Sequence, residues 1–387
     1  MVQDFNIGII GAGPAGCACA FFLTKLGFKP TLIDYSYPLR TILPTGGGRC
    51  NLAHAEFDFK ELAKNYPRGE KFLYSVFSKF GTSETLEMFK NIGIETYTQE
   101  NGRIFPVSNS SKEVQEKMLQ AIKQCKIIKE KALRIEKNGI GFKVVTDMNA
   151  YKFDKIVFSI GGHNGYEMIE RIGVSVVEPK PALVGLVTSE NFSSLMGTTL
   201  KNVMNNETGI TDDMLFTHFG ISGPLIYTVS SIYARRKHPY QLSFNICPEL
   251  DKMNFQQILN DNPHKLLKNV LSEYIPHKFA ELLLDKLNIL SETKSHRVNG
   301  EMRDLILDKL NNFTVNIKST KKDGETVSAG GVSLDKINSK TMESKEVSGL
   351  YFCGEVIDVD GFCGGFNLQN CWSTAYIASQ GLCDFKN

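Results

Sequence analysis

A chain of 387 residues is long for one hydrophobic core and implies two or three domains. Hydrophobic residues at 42% and charged residues at 22% give the ordinary make-up of a soluble globular protein. Net charge +2 and a pI near 8.0 supply no electrostatic reason to expect nucleic acid, so the expected partners are small molecules.

Met1–Asn6 lacks a basic leader, and the first apolar run is broken by Gly11, Gly13 and Pro14. The start therefore reads as neither a signal peptide nor a membrane span, and the expected location is the cytoplasm. Nine cysteines with no CxxC pair argue against a zinc site and against a secreted disulfide framework; reduced and mostly buried thiols are expected.

In chain order, Asn6–Ile10 (NIGII) is an apolar run of the kind that forms a buried strand. Gly11-Ala12-Gly13-Pro14-Ala15-Gly16 follows at once, then a helix over Cys17–Leu26 and a strand over Pro30–Ile33 closed by Asp34. This is a βαβ half-unit for a dinucleotide. Gly11 permits the tight turn, Gly13 lets the backbone approach a pyrophosphate, and Gly16 lets helix and strand pack closely. Free N–H groups and the positive end of the helix dipole hold the phosphates. Asp34 follows Gly16 by 18 residues, the place of an acid that hydrogen-bonds a ribose hydroxyl. NAD and FAD both fit such an acid; the 2′-phosphate of NADP would be repelled by it.

Arg40 and the loop Thr45-Gly46-Gly47-Gly48-Arg49-Cys50-Asn51-Leu52 come next, three glycines that let backbone approach a ligand with Arg49 and Asn51 as donors. Glu70–Ile92 reads as helix with a break near Phe80-Gly81, Ile94–Phe105 as a hairpin, and Ser110 as the cap of a helix to about Gln124. Short strands alternate over Ile127–Val145. Phe153–Ile160 then returns to the nucleotide sheet and ends in Gly161-Gly162. From Val174 the texture changes: Val184–Thr188, Thr217–Tyr227 and Gln241–Ile246 read as strands of an antiparallel or barrel-like domain, and Asp251–Asn312 as a helical insert.

The second informative block lies near the end. Leu350–Cys353 is a buried strand by composition, Gly354-Glu355 an acid-bearing turn, and Gly364-Gly365 the opening of a final helix. A helix N-terminus stabilises negative charge, and the N1/C2=O edge of a reduced flavin carries it, whereas a nicotinamide has no comparable need.

With GIIGAGPAG, TGGGRCNL, GRIFPVS, LFTHFGISGP, VSAGGVSLDKIN and GLYFCGEVIDVDGFCGGFNLQ in hand, the chain resembles the FAD-dependent family of aminoacetone oxidase, the bile-acid reductase BaiN and the YhiN-type proteins. The motifs run from Ile7 to Gln369. The resemblance implies an α/β fold: a two-dinucleotide-binding, Rossmann-like FAD domain over 1–184 and 326–387, a β-rich barrel-like insert over 185–250 and 313–325, and a helical insert over 251–312. By the family pattern Gly11, Gly13, Pro14, Ala15 and Gly16 serve the pyrophosphate and Asp34 the adenosine ribose. Arg40, Gly48, Arg49, Cys50 and Asn51 line the cofactor, with Ala132 at the adenine and Gly161 at the turn beside it. Gly354 and Glu355 meet the ribityl-phosphate region, and Gly365, Asn367, Leu368 and Gln369 border the flavin ring. The segment Thr198–Asp213 is short for the family's β domain, so a reduced or distorted barrel is expected.

The implied activity is an FAD-dependent oxidoreductase passing hydride between flavin N5 and a small organic substrate, with NAD(P)H docking transiently or oxygen as electron partner. The alternative is an FAD-containing binding or redox-sensor protein with little turnover. An FAD-dependent nucleic-acid modifier is a third reading, which the near-neutral charge disfavours. No catalytic residue is assigned. His218 has the chemistry of an acid or base but reads better as a structural histidine, and Cys50 and Cys363 read as buried, inert thiols. No metal is expected, and substrate and oligomeric state stay open.

Overall fold

The computed structural model describes residues 5–162, 165–321 and 327–383. The chain divides into two compact units, residues 1–180 with 327–387, and residues 181–326. Strands are numbered in chain order.

In the first unit β1 (Ile7–Ile10), β2 (Thr31–Ile33), β6 (Lys126–Ile128), β10 (Lys155–Phe158) and β19 (Leu350–Phe352) form a parallel sheet of order β19-β10-β1-β2-β6. β1 and β10 are buried at every residue, as strands covered on both faces must be, and this explains their apolar character, broken in β10 only by Lys155 at its start. The first helix runs Pro14–Lys25 and so begins three residues before the expected Cys17. Proline supplies a preset φ where the N–H would have no helical partner, which lets the helix start inside the glycine motif.

The C-terminal helix Phe366–Cys383 lies against the first helix, and the two sandwich small residues: Gly354 is so close to Ala15 that a Cβ on it would sit 2.5 Å from the alanine Cβ. Trp372, fully buried, donates from Nε1 to the Leu52 carbonyl at 2.9 Å. Three small sheets surround this frame: β3 (Ala53–His54), β5 (Arg103–Pro106) and β4 (Thr96–Thr98); β7 (Ala132–Asn138), β8 (Gly141–Thr146) and β9 (Ala150–Phe153); and the pair β11 (Val176–Ala182) with β18 (Val327–Val332). The expected break near Phe80-Gly81 separates helices Glu70–Phe77 and Thr82–Asn91, where Glu84 reaches back to the Gly81 N–H at 2.8 Å.

The second unit holds a closed six-stranded barrel in the order β12 (Leu186–Thr188), β15 (Gly220–Ser222), β14 (Thr211–Thr217), β13 (Thr199–Asn205), β16 (Tyr240–Asn245) and β17 (Phe313–Thr320). Closure comes from the antiparallel pairing of β12 with β17, so the short Thr198–Asp213 segment completes a barrel without truncating it. The strand expected over Thr217–Tyr227 is half correct: from Pro224 to Ile232 the chain is helix, because Gly223 at φ +98 turns the chain and Pro224 takes the first helical position. Helices Lys252–Asp261, Leu267–Leu271, His277–Lys286 and Gly300–Asn311 share one apolar cluster with the barrel, Phe216 and Phe279 stacking at 5.9 Å.

Replacing Trp372, the chain's one tryptophan, by phenylalanine strands the buried Leu52 carbonyl. We expect W372F to lose about 1–3 kcal/mol of stability for that group alone, read as a lowered urea midpoint with unchanged slope by circular dichroism.

Candidate functional site

The three glycines after β1 are distinguished by what surrounds them. At Gly11, φ +103, a Cβ would lie 2.5 Å from the Ser159 carbonyl oxygen, and at Gly16 it would collide with the Gly11 carbonyl oxygen and Ser159 Oγ. Both are demanded by the protein's own packing. At Gly13 a Cβ would meet nothing nearer than Thr41 Oγ1 at 4.0 Å. Protein atoms thus leave room at the glycine that the motif reserves for the approach of a pyrophosphate. No side chain caps the helix that starts there, and an uncapped helix start is a place that favours an anion. The Asp34 carboxylate accepts from the Ala12 N–H at 2.7 Å and the Ser36 N–H at 2.8 Å. A carboxylate has roughly four acceptor positions, so this one is aimed by the turn and keeps capacity for ribose hydroxyls.

The next loop is tied to the same turn by the Leu39 N–H, which donates to the Ala12 carbonyl at 2.8 Å. Arg40 is exposed in a short 3-10 turn, Arg40–Ile42. Gly46, Gly47 and Gly48 all take positive φ, and nothing lies within 4 Å of a Cβ placed on Gly47. Arg49 is fixed by its Nε–H bond to the Gly46 carbonyl at 3.0 Å and by its guanidinium 4.0 Å from the Phe105 ring. Cys50 is buried, and burial, opposed by a bond to Thr45, pushes its thiol up to about 12, an inert group as expected. Asn51 Oδ1 is buried without a protein partner.

The far end of the chain returns to this place. Glu355 Oε1 accepts from the Ser328 N–H at 2.8 Å and stands 3.1 Å from where a Cβ of Gly162 would be, while Gly161, φ +85, borders open space. A Cβ on Gly365 would collide with the Ala53 carbonyl and lie 2.8 Å from Asn51 Oδ1, so the glycine loop and the start of the C-terminal helix touch. Asn367 braces that turn, accepting from the Gly361 N–H and donating to the Gly361 carbonyl, each at 2.8 Å. Leu368 packs on the core.

Two expected residues behave differently. Gln369 is fully buried; its Nε2 donates to Thr85 Oγ1 and Ser373 Oγ at 2.8 Å and its N–H to the Gly365 carbonyl at 3.0 Å, while its Oε1 is buried without a protein partner. Ala132 opens β7, a strand of the separate β7-β8-β9 sheet, and packs against the core. His218 is exposed at the β14–β15 turn of the second unit. Sequence reasoning also missed residues that the fold brings to the site. Arg68 and the fully buried Asp360 form a bidentate ion pair, and His54 and Arg103 face each other across β3 and β5. Cys363 is exposed, not buried, with Arg103 Nη2 3.7 Å from its sulfur. Arg103, Asp360 and Cys363 lie within motifs of the chain, but none of these residues carries a spacing signal of its own.

Open space at Gly13, Gly47 and Gly161 and the unpartnered Asn51 oxygen are features that a bound dinucleotide could use. The fold and site define an FAD-dependent oxidoreductase. Residues 5–381 match the HI0933-like protein Rossmann domain, and the chain belongs to that family. It is 28% identical over 408 aligned positions to the ribosomal RNA dihydrouridine synthase of Escherichia coli (strain K12), covering 100% of each chain. It is 26% identical to the 3-dehydro-bile acid delta(4,6)-reductase of Clostridium scindens (strain ATCC 35704 / DSM 5676 / VPI 13733 / 19), covering 97% of this chain and 98% of that one. Among solved structures, a flavocytochrome c3 fumarate reductase in its open conformation superposes with TM-score 0.52 at 14% identity, over 98% of this chain and 78% of that one.

Gly13→Ala separates binding from folding. Its φ of −73 suits alanine, so apo stability should change by no more than about 1 kcal/mol, while FAD affinity falls at least about tenfold, roughly 1.4 kcal/mol. Gly11→Ala should instead lower the unfolding midpoint of the apoprotein; flavin fluorescence and thermal melts read the two effects. Burial, aided by the charge of Arg103 and opposed by a bond to the Gly364 carbonyl, holds His54 below the usual imidazole value. The neutral ring is therefore favoured by folding. Its contribution is full above about pH 6.5 and is lost as pH falls through the folded value. His54→Gln should flatten the decline of unfolding free energy from about pH 7 to pH 5, measured by urea titration at each pH.

Proposed function

We propose that this flavoprotein reduces a carbon–carbon double bond conjugated to a carbonyl, and that the double bond is C5=C6 of a uridine in ribosomal RNA. The observation that carries this reading is the end-to-end likeness to a ribosomal RNA dihydrouridine synthase, joined by the likeness to a bile-acid reductase. Making dihydrouridine adds two hydrogens across a bond conjugated to the C4 carbonyl, and a delta(4,6)-reductase acting on a 3-dehydro steroid saturates bonds conjugated to the C3 carbonyl. Two unlike molecules share one piece of chemistry.

When bound, FAD supplies the hydride through N5. The chain's own residues do the rest. Main-chain N–H groups of the first helix hold the pyrophosphate, Asp34 holds the adenosine ribose, and Gly354 and Glu355 meet the ribityl chain. The first turn of the C-terminal helix places its N–H groups against the ring edge that becomes negative on reduction. In this reading NAD(P)H docks transiently at the flavin as electron donor.

Net charge is an average over the whole chain, and RNA is met by one face of it. Lys123, Lys126, Lys129 and Lys131 are exposed around β6, beside Tyr35 and Tyr37, which are 63% and 72% exposed on the loop after Asp34. Lys129 Nζ stands 5.3 Å from the Tyr37 ring. Cations for phosphates and aromatic faces for bases are the components of a single-strand track. This supports RNA as substrate in place of the small-molecule-only expectation. The sensor alternative predicts little turnover.

Incubating the holoprotein with NADPH or NADH and unmodified ribosomal RNA transcript should yield a uridine heavier by two hydrogens, found by mass spectrometry of the nucleoside digest, with binding that weakens as salt is added. Flavin that bleaches with neither nicotinamide, or that returns to the oxidised form no faster with RNA or a simple enone than without, would defeat the reading.

A further inference from the structure

Around the turn 361–365 the fold gathers three ionisable side chains from three separate segments. His54 and Arg103 are directly opposed across β3 and β5, so both side chains leave the same face of that small sheet. Arg103 extends to Cys363, with Nη2 3.7 Å from Sγ. His54 Nδ1 lies 3.1 Å from the carbonyl oxygen of Gly364, the next residue, and its ring stacks on Phe366 at 4.6 Å. A carbonyl only accepts, so Nδ1 carries the hydrogen and the imidazole clasps the turn that bears the thiol. The other side of the turn is held by the Arg68–Asp360 ion pair and by the two Asn367–Gly361 bonds.

An exposed thiol in so firmly held a turn is unusual in this chain. The other eight cysteines are buried or half-buried, and burial pushes Cys17, Cys50, Cys353 and Cys371 far above the ordinary thiol range. Cys363 alone combines exposure with a guanidinium at its sulfur. It also stands three residues before the C-terminal helix, whose first turn borders the flavin in the reading above.

We propose that Cys363 is the proton donor for double-bond reduction, with Arg103 as its positioning residue. The inference rests on the protein being a reductase of conjugated double bonds. Saturating such a bond takes a hydride on the carbon remote from the carbonyl and a proton on the carbon next to it; the reduced flavin supplies the first. For the second, the S–H bond of Cys363 breaks as a C–H bond forms on the adjacent carbon. Two electrons pass from flavin to substrate, and the thiolate left behind is stabilised by the Arg103 guanidinium. Because the sulfur is exposed, water returns its proton before the next turnover.

Two measurements on the full-length holoprotein test this. In stopped flow, Cys363→Ala and Cys363→Ser are reduced with NADPH and then mixed with cyclohex-2-enone or with ribosomal RNA transcript. A positioned general acid contributes about 10²–10⁴-fold, so reoxidation by either substrate should slow at least about 10²-fold in the alanine variant, with retained flavin absorbance, and reoxidation by oxygen should not share that loss. Reoxidation by enone and RNA at the wild-type rate in both variants overturns the proposal while leaving the reductase reading intact. If the wild-type flavin is reoxidised by neither substrate, the reductase reading fails and the proposal falls with it. Independently of turnover, limiting iodoacetamide followed by peptide mass mapping should label Cys363 first of all cysteines, and Arg103→Gln should slow that labelling severalfold. Labelling of another cysteine first, or at an unchanged rate in the arginine variant, counts against the thiol–guanidinium pairing and overturns the assignment.

Discussion

The site exists because the two ends of the chain approach more closely than side chains would allow. Gly354 faces Ala15, and Gly365 faces the Ala53 carbonyl and Asn51; at both glycines φ is positive and a Cβ would enter another residue's space. A larger residue at either place would separate the first helix from the C-terminal helix, or the glycine loop from the turn that opens the latter. The sheet order β19-β10-β1-β2-β6 expresses the same constraint on a larger scale: the strand nearest the end of the chain lies one strand away from the first. Buried bonds between distant segments then lock the arrangement, Tyr66 to the Phe366 carbonyl at 2.6 Å and Trp372 to the Leu52 carbonyl at 2.9 Å.

Backbone N–H groups aim the two carboxylates: Asp34 accepts from those of Ala12 and Ser36, and Glu355 from that of Ser328. A buried ion pair works differently. Asp360 is fully buried and faces Arg68, and breaking such a pair costs about 3–5 kcal/mol because one charge is left without a partner. The pair fixes the 358–365 turn on its inner side, so the outer side can carry an exposed thiol without becoming mobile.

Much of this was legible in the sequence because it is enforced locally. The strand, glycines, helix and acid of 6–34 form one continuous unit, and the glycine pairs at 161 and 364 mark turns that few other residues could make. The barrel was visible as a change of texture, but the helix from Pro224 was not: the run from Leu225 to Val229 is apolar in a way that serves a strand or a buried helix, and only Gly223-Pro224 distinguishes them. The bonds that fix Gln369, from its Nε2 to Thr85 and Ser373, depend in part on where the Thr82–Asn91 helix packs, which no local pattern encodes. Cys363 was misread for the same reason. A cysteine is more often buried than not, and its exposure follows from a turn whose other contacts come from residues some three hundred positions earlier.

The contrast between the two kinds of glycine also separates what the scaffold must keep from what it can vary. Gly11, Gly16, Gly354 and Gly365 are confined by protein atoms, so changing them disturbs the fold itself. Gly13, Gly47 and Gly161 face open space and constrain only what can be bound there. The basic and aromatic side chains near β6 belong to neither group: they are exposed, so they can be exchanged without moving the sheet. In the proposed reading, a scaffold whose cofactor contacts are set by backbone approach, and whose outer face is free to change, keeps one reduction chemistry while its relatives act on molecules as different as a bile acid and a ribosomal RNA. Backbone approach constrains the cofactor's chemistry more tightly than it constrains the substrate.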